Sequence, residues 1–213
     1  MIRIEHLQES EMQDVVDADG VMRILEEAGA LQEGHFQLRG GLHSDTFFDI
    51  ALALVDTDNA LAMCTALAEQ FKNFGIQTVV GPYRSGALIA QLVAVQLAQL
   101  TGKHVFAVPA DKAEKGGYRL REVFRPFISG KDVLIVDDVF TKGGSITSIM
   151  EAIASFGGHV WGTGAIVNRG LVSPINLGIV NFVALATPSG SFWDPAIERC
   201  PLCANNTLLD STD

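Results

Sequence analysis

The chain has 213 residues and a mass of 22.8 kDa. That length suits one domain, or one with a small appendage, and buries roughly 70% of the surface its unfolded chain exposes. With 48% hydrophobic and 19% charged residues the composition speaks against a largely disordered chain. No apolar run reaches the ~18–20 residues of a membrane span. The formal net charge of −10 speaks against a nucleic-acid binder, which needs a positive surface to displace counterions from phosphates.

In chain order, residues 1–20 are acidic and weakly patterned, an irregular or helical lead-in. Met1 to His6 lacks the basic-then-apolar order of a secretion signal, and three cysteines make no secreted disulfide framework, so a cytoplasmic protein is expected. Val21, Ile24, Leu25 and Ala28 recur at helical spacing, with Gly29 as the stop. Phe36, Leu38 and Thr46 to Ile50 read as short strands around Gly40-Gly41. Asp58 to Phe74 reads as an amphipathic helix capped by Asp56 or Thr57 and ended at Gly75. Thr78 to Val80 reads as a strand, Gly86 to Leu100 as a helix, and His104 to Val108 as a strand before a polar stretch from Pro109 to Glu122. Val133 to Val136, four consecutive aliphatics, reads as a central parallel strand buried on both faces. Ser145 to Phe156 reads as a helix, Val160 to Val167 and Val180 to Ala186 as strands, and Trp193 to Asp213 as an irregular tail. This alternation implies an α/β fold, a parallel sheet with helices on both faces.

Charge is uneven along the chain. Residues 1–69 hold 14 acids against Arg3, Arg23 and Arg39, whereas residues 103–131 hold seven bases against Asp111, Glu114 and Glu122. A short basic segment on an acidic protein suits a small anionic ligand.

In such a sheet ligands collect beyond the carboxyl ends of the strands. Val133 to Ser145, VLIVDDVFTKGGS, places two carboxylates at the end of a buried strand and then a turn with two glycines and two hydroxyls that opens a helix. Gly143 and Gly144 let the backbone approach an anion, and the turn's N–H groups, the Thr141 and Ser145 hydroxyls and the helix N-terminus make a phosphate cradle. Asp137 and Asp138 repel each other unless hydroxyls or a cation share them, and a phosphorylated sugar diol satisfies both halves. No GxxxxGK[ST] loop is present, because Gly130-Lys131 precedes Asp132 and Arg125 stands where the first glycine belongs. Gly162-Thr163-Gly164 lies inside a strand without a third glycine and is a weak dinucleotide signal.

VLIVDDVFTKGGS closely resembles the 5-phosphoribosyl-1-pyrophosphate (PRPP) signature of type I phosphoribosyltransferases. The resemblance implies that Asp137 and Asp138 face the ribose hydroxyls. It also implies that Thr141, Lys142, Gly143, Gly144 and Ser145 hold the 5′-phosphate. It extends over about residues 20–170 and is most like orotate phosphoribosyltransferases. The implied layout is a single domain over 1–213: a hood and base-pocket segment at about 20–50, an α/β core at about 51–190 and an irregular tail at about 191–213.

Leu25 to Asp49 is similar to the base-pocket segment of the orotate enzymes, in which Arg39, Phe47 and Phe48 match a basic residue and two aromatics. A flat ring bearing a carboxylate calls for aromatic surface plus a guanidinium, and Arg169 of Asn168-Arg169-Gly170 matches an arginine on the orotate carboxylate. Gly81 to Gly86, GPYRSG, matches the pyrophosphate loop, with Ser85 where many orotate enzymes have lysine and Arg84 beside it. The polar stretch 109–122 matches the flexible catalytic loop. Lys112 and Lys115 keep its Lys-x-x-Lys spacing, while Asp111 replaces an arginine and Gly117 sits near an expected histidine. Leu120 to Phe124 is similar to the Arg-Arg-Gly-Phe-like strand that follows shorter versions of that loop.

The family match implies transfer of phosphoribose from PRPP to orotate, with Mg²⁺ held mainly by substrate. It implies a homodimer whose loop 109–122 reaches the partner's site, and no nucleic-acid or membrane partner. Phosphoribosyl transfer to another base, or a catalytically weak PRPP-sensing regulator, stays open. Cys64 is explained by a helix interior. Cys200-Pro201-Leu202-Cys203 is a lone CxxC without the second ligand pair of a structural zinc site. Completion across a dimer or by a histidine such as His6, or a redox pair, is left open.

Overall fold

Four aliphatics in a row have to be buried on both sides, and the architecture is built around that demand. The computed structural model describes residues 15–210 apart from 39, 40, 172, 174, 176, 177, 180 and 197, so Met1 to His6 and Arg39 lie outside the described residues. Strand β6 (Asp132–Phe140) is the centre of a six-stranded sheet, whose other members are β3 (Thr78–Pro82), β4 (Phe106–Lys112), β5 (Tyr118–Arg119), β7 (His159–Asn168) and β8 (Phe182–Ala186). The order is β5-β4-β3-β6-β7-β8, parallel throughout except for β5. Leu134 and Val136 belong to the core shared with helices α3 (Thr57–Phe71) and α4 (Ser85–Thr101). Val133 and Ile135 belong to a second core filled by Ile146, Ile149 and Ile153 of α5 (Gly144–Ser155). Side-chain alternation along one strand therefore feeds both layers.

Local chemistry fixes the helix ends. Asp17 Oδ1 accepts the Gly20 N–H at 2.9 Å at the start of α1 (Ala18–Glu27). Asp56, not Thr57, caps α3, accepting the Asp58 and Asn59 N–H groups at 2.8 and 3.3 Å. Cys64 is fully buried on α3, and burial pushes its thiol up to about 12, as the helix-interior reading requires.

The second unit is a three-stranded antiparallel sheet, the hood, made of β1 (Leu31–Gln37), β2 (His43–Phe48) and β9 (Phe192–Trp193). The expected strand at 46–50 ends earlier, and Ile50–Val55 forms a short helix, α2. The tail is not irregular. It supplies β9, one helical turn, α6 (Pro201–Ala204), and a return along β1 in which Asp210 N donates to His35 O at 2.7 Å and Asp210 Oδ2 accepts from His35 N at 2.8 Å.

Gly162 and Gly164 have a packing role. A Cβ at Gly164 would lie 3.0 Å from Leu67 Cδ1, and one at Gly162 would lie 2.9 Å from Asn181 O and 3.1 Å from Phe71. Their lack of side chains lets α3 sit directly on β7, which accounts for the two glycines without any nucleotide. Gly164→Ala is expected to overpack this contact and destabilise the fold by about 1–3 kcal/mol, read as a lower urea midpoint at unchanged slope.

Candidate active site

From β3 the chain crosses to β4 on one side and later returns to β6 on the other. This makes β3/β6 the point where sheet order reverses, the usual ligand position in an open parallel sheet. Their pairing runs from Thr78 opposite Val133 to Val80 opposite Ile135 and stops. Beyond it β3 stays with β4 through Pro82 opposite Ala110, and β6 stays with β7 through Phe140 opposite Asn168. The two halves part at their carboxyl ends and open a crevice.

One wall is the loop Gly81 to Gly86. A Cβ on Gly81 would lie 1.9 Å from the Gly86 carbonyl oxygen, and one on Gly86 would lie 2.5 Å from Pro82. The loop closes only because both positions are glycine. The Tyr83–Arg84 peptide is cis, Tyr83 N donates to Ala110 O at 2.9 Å, Arg84 is exposed and Ser85 begins α4. The point where a Gly86 Cβ would sit is 3.4 Å from Asp137 Oδ1, so this loop touches the opposite wall.

That wall is the end of β6 and the turn after it. The strand does not stop at Val136 but continues to Phe140, held by β7, so Asp137 and Asp138 lie inside the second half of the strand. Asp137 is buried and Asp138 half-buried. Asp137 Oδ1 accepts the Asp138 N–H at 2.9 Å, and Asp138 Oδ1 accepts the Val139 N–H at 2.7 Å. Thr141 and Lys142 lead to Gly143, whose φ of 75° is left-handed, and α5 opens at Gly144 and Ser145 without a side-chain cap. A Cβ on Gly144 would meet nothing within 4 Å. An open turn before uncapped helix amides has the geometry to receive an anion.

The base-pocket residues separate. Arg169, just past β7, is 6% exposed. Its Nη2 donates to Ser44 Oγ at 2.8 Å, Thr46 Oγ1 at 2.8 Å and Thr46 O at 3.0 Å, and its guanidinium lies 4.5 Å from the Phe192 ring centroid and 5.4 Å from that of Phe48. Among the described residues no carboxylate lies within 4.0 Å of it, and its Nε and Nη1 hydrogens find no acceptor. Burial lowers its pKa to about 10, with Asp45 opposing the shift, so it stays cationic at neutral pH. Phe48 is brought to Arg169. Phe47, its neighbour on a strand, falls on the other face against Phe36, centroids 5.5 Å apart, so the two phenylalanines do not line one pocket. Ser44 and Thr46, which hold Arg169, were not singled out from the sequence. Their only signal is the hydroxyl alternation in His43-Ser44-Asp45-Thr46.

The stretch 109–122 is a hairpin here rather than an extended loop. β4 runs on to Lys112 and β5 returns, with Asp111 opposite Arg119 and Lys112 opposite Tyr118. Gly116 and Gly117, at φ 90° and 75°, make the turn. Asp111 approaches Arg119 at 4.0 Å, a cross-strand pair of opposite charge, and Tyr118 N donates to Ser148 Oγ of α5 at 3.1 Å. Lys112 and Lys115 are exposed on the hairpin. Glu122–Phe127 follows as a 3₁₀ helix instead of a strand.

A family model described as a phosphoribosyl transferase domain matches residues 52–171. The orotate phosphoribosyltransferase of Desulforamulus reducens is 36% identical over 188 residues, 88% of this chain and 92% of the relative. That of Thermotoga maritima is 33% identical, over 86% of this chain and 91% of its own. Among solved structures, the fold is shared with orotate phosphoribosyltransferase from Aeropyrum pernix (TM-score 0.63, 23% identity, 78% of this chain and 93% of that one). It is also shared with adenine phosphoribosyltransferase from Thermoanaerobacter pseudethanolicus (TM-score 0.60, 22% identity, 77% and 99%). The left-handed backbone at Gly143 sets a test of the cradle. Gly143→Ala adds about 1–2 kcal/mol of strain to that conformation; the variant's turn sheds it when empty and has to take it up again to bind, so isothermal titration with inorganic phosphate is expected to show up to roughly five- to thirtyfold weaker binding.

Proposed function

The chain belongs to the orotate phosphoribosyltransferase family, and on that premise we propose that it transfers the 5-phosphoribosyl group of PRPP to orotate, giving orotidine 5′-monophosphate and pyrophosphate. The observation that carries the choice of base is Arg169. Asp45 acts on it only at a distance, so among the described residues Arg169 is buried without a paired carboxylate, which is unfavourable by itself, and an anionic ring supplies a direct partner, whereas a neutral purine does not. The fold cannot make this choice, since an adenine enzyme shares it. Arg39, outside the described residues, is proposed as a second basic contact to the base, and Phe48 as its apolar neighbour.

A ring nitrogen of orotate attacks the anomeric carbon as the bond to pyrophosphate breaks, with inversion. In this reading the cradle from Thr141 to Ser145, with Lys142 beside it, binds the 5′-phosphate, and the closed loop with Arg84, Ser85 and Gly86 receives the pyrophosphate. Asp137 and Asp138 hold the ribose hydroxyls and lie near the positive charge that develops on the sugar. The all-oxygen donors at this strand end fit a hard cation. Mg²⁺, held mainly by PRPP, would supply charge neutralisation here when bound. Lys112 and Lys115 sit on a hairpin whose closure excludes water from the reacting centre.

Asp111, where the family has arginine, has a structural explanation in its pairing with Arg119. A cytoplasmic homodimer is proposed as well. α2 lies beside α4, and Leu52, Val55, Leu88 and Val95 on these helices are exposed, apolar surface that suits a second copy.

Pyrophosphate release with PRPP, Mg²⁺ and each base in turn tests the reading: turnover is expected with orotate, and turnover only with a purine overturns it. Asp137→Asn is expected to lower kcat by about 10²-fold or more, the scale for losing one transition-state contact, and a near-normal rate removes the acidic pair from the mechanism. Lys112→Ala is expected to lower kcat more than PRPP affinity, and an equal loss in both makes it a ground-state contact.

A further inference from the structure

Four side chains that no step above uses converge between the hood and the tail. His35 on β1, His43 on β2, and Cys200 and Cys203 around α6 each offer one ligand atom, and the four atoms lie within 4.8 Å of one another. His35 Nε2 is 2.9 Å from His43 Nδ1 and 3.6 Å from both sulfurs, and Cys203 Sγ is 3.3 Å from His43 Nδ1. Zinc–ligand bonds of about 2.0–2.3 Å set tetrahedral edges of roughly 3.3–3.8 Å. The three nitrogen–sulfur separations fall in that range, and the nitrogen–nitrogen separation of 2.9 Å is a few tenths of an ångström short of it.

The histidine tautomer points the same way. His35 Nδ1 is 2.8 Å from the Thr207 carbonyl oxygen. A carbonyl only accepts, so Nδ1 carries the proton and Nε2 turns a bare lone pair toward the other three groups. A ligating histidine is commonly oriented by a carbonyl in this way. The scaffold is fitted to the arrangement. Ala204 N donates to Cys200 O at 3.0 Å, closing the turn that sets the two sulfurs three residues apart, and Thr207 N donates to Leu202 O at 3.0 Å. Where the tail returns along β1, a Cβ on Gly34 would lie 2.3 Å from Asp210 Oδ2, so glycine makes room for the docking. His35, His43 and Cys200 are buried. A disulfide would use the two sulfurs but leave the convergence of two imidazoles unexplained.

We propose that His35, His43, Cys200 and Cys203 form a structural Cys₂His₂ zinc site that fastens the C-terminal tail to the hood. Nitrogen and thiolate ligands in a closed tetrahedron select Zn²⁺ over the oxygen-seeking Mg²⁺ of the reaction, and the two metal sites have no residue in common. Because zinc binds thiolates, loading the site releases protons, and its binding free energy adds to that of folding.

The test uses the full chain without a histidine tag. Elemental analysis of the purified protein, or of protein reconstituted with Zn²⁺ and desalted, is expected to give about one zinc per chain. Removal by a chelator is expected to lower the melting temperature and to expose two thiols to a thiol reagent, while Cys64 stays unreactive in its buried position. Zn²⁺ is expected to restore the melting temperature and protect both thiols. Co²⁺ in place of zinc is expected to give tetrahedral ligand-field bands with sulfur-to-metal charge transfer, a readout that needs no variant and no turnover. Cys203→Ser and His43→Gln are each expected to lower zinc content at least tenfold. Zinc below a tenth of stoichiometric after reconstitution, cobalt bands of an octahedral oxygen–nitrogen site, or full zinc retention in Cys203→Ser each overturns the proposal.

Discussion

The parting of β3 from β6 is the constraint on which the rest depends. Three residue pairs hold the strands together and then each follows its outer neighbour. That divergence exposes the end of β6, where Asp137 and Asp138 stand, and gives the loop from Gly81 to Gly86 a place to fold back. The loop and the acids meet because glycines at 81 and 86 permit a backbone approach that any side chain would block. Beyond Phe140 the turn to α5 presents helix amides to the same space. Hydrophobic burial of β6 on both faces keeps the crevice walls rigid, so binding groups need not be ordered when ligand arrives.

The hood is joined to the core by the packing of Leu31 and Phe48 and by one buried guanidinium. Arg169 leaves the end of β7 and is gripped by hydroxyls of β2 and a ring of β9. The same group that orders the hood is the one proposed to meet the base, so in that reading recognition and architecture share a residue. A substitution there has to be read through both roles. The hood is also where the cysteine tail docks, so it is braced from two directions.

Much of this was legible in the sequence. The four aliphatics of β6, the glycine turn and the alternation of strand and helix carry direct physical signatures, and the resemblance to phosphoribosyltransferases rested on those residues. The misread stretches have physical reasons. Asp137 and Asp138 look like the end of a strand because they are polar, but pairing with β7 carries the strand past them. The hairpin from Phe106 to Arg119 was hidden because its outer strand is two residues long and polar on an edge. Strand periodicity does place Phe47 and Phe48 on opposite faces, and the resemblance drew them together instead. His35 and His43 precede Cys200 and Cys203 by about 160 positions, and ligands so separated leave no spacing to find.

The third strand of the hood has a consequence for how the chain acquires its shape. β1 and β2 leave the ribosome before Phe192 and Trp193, which complete their sheet and come almost 150 positions after Ser44. An edge that would invite mispairing with another nascent chain thus stays open while the intervening residues are made. The half-made hairpin carries Asp45, and Glu33 lies on its neighbour, negative charges that discourage such encounters until the last segment arrives.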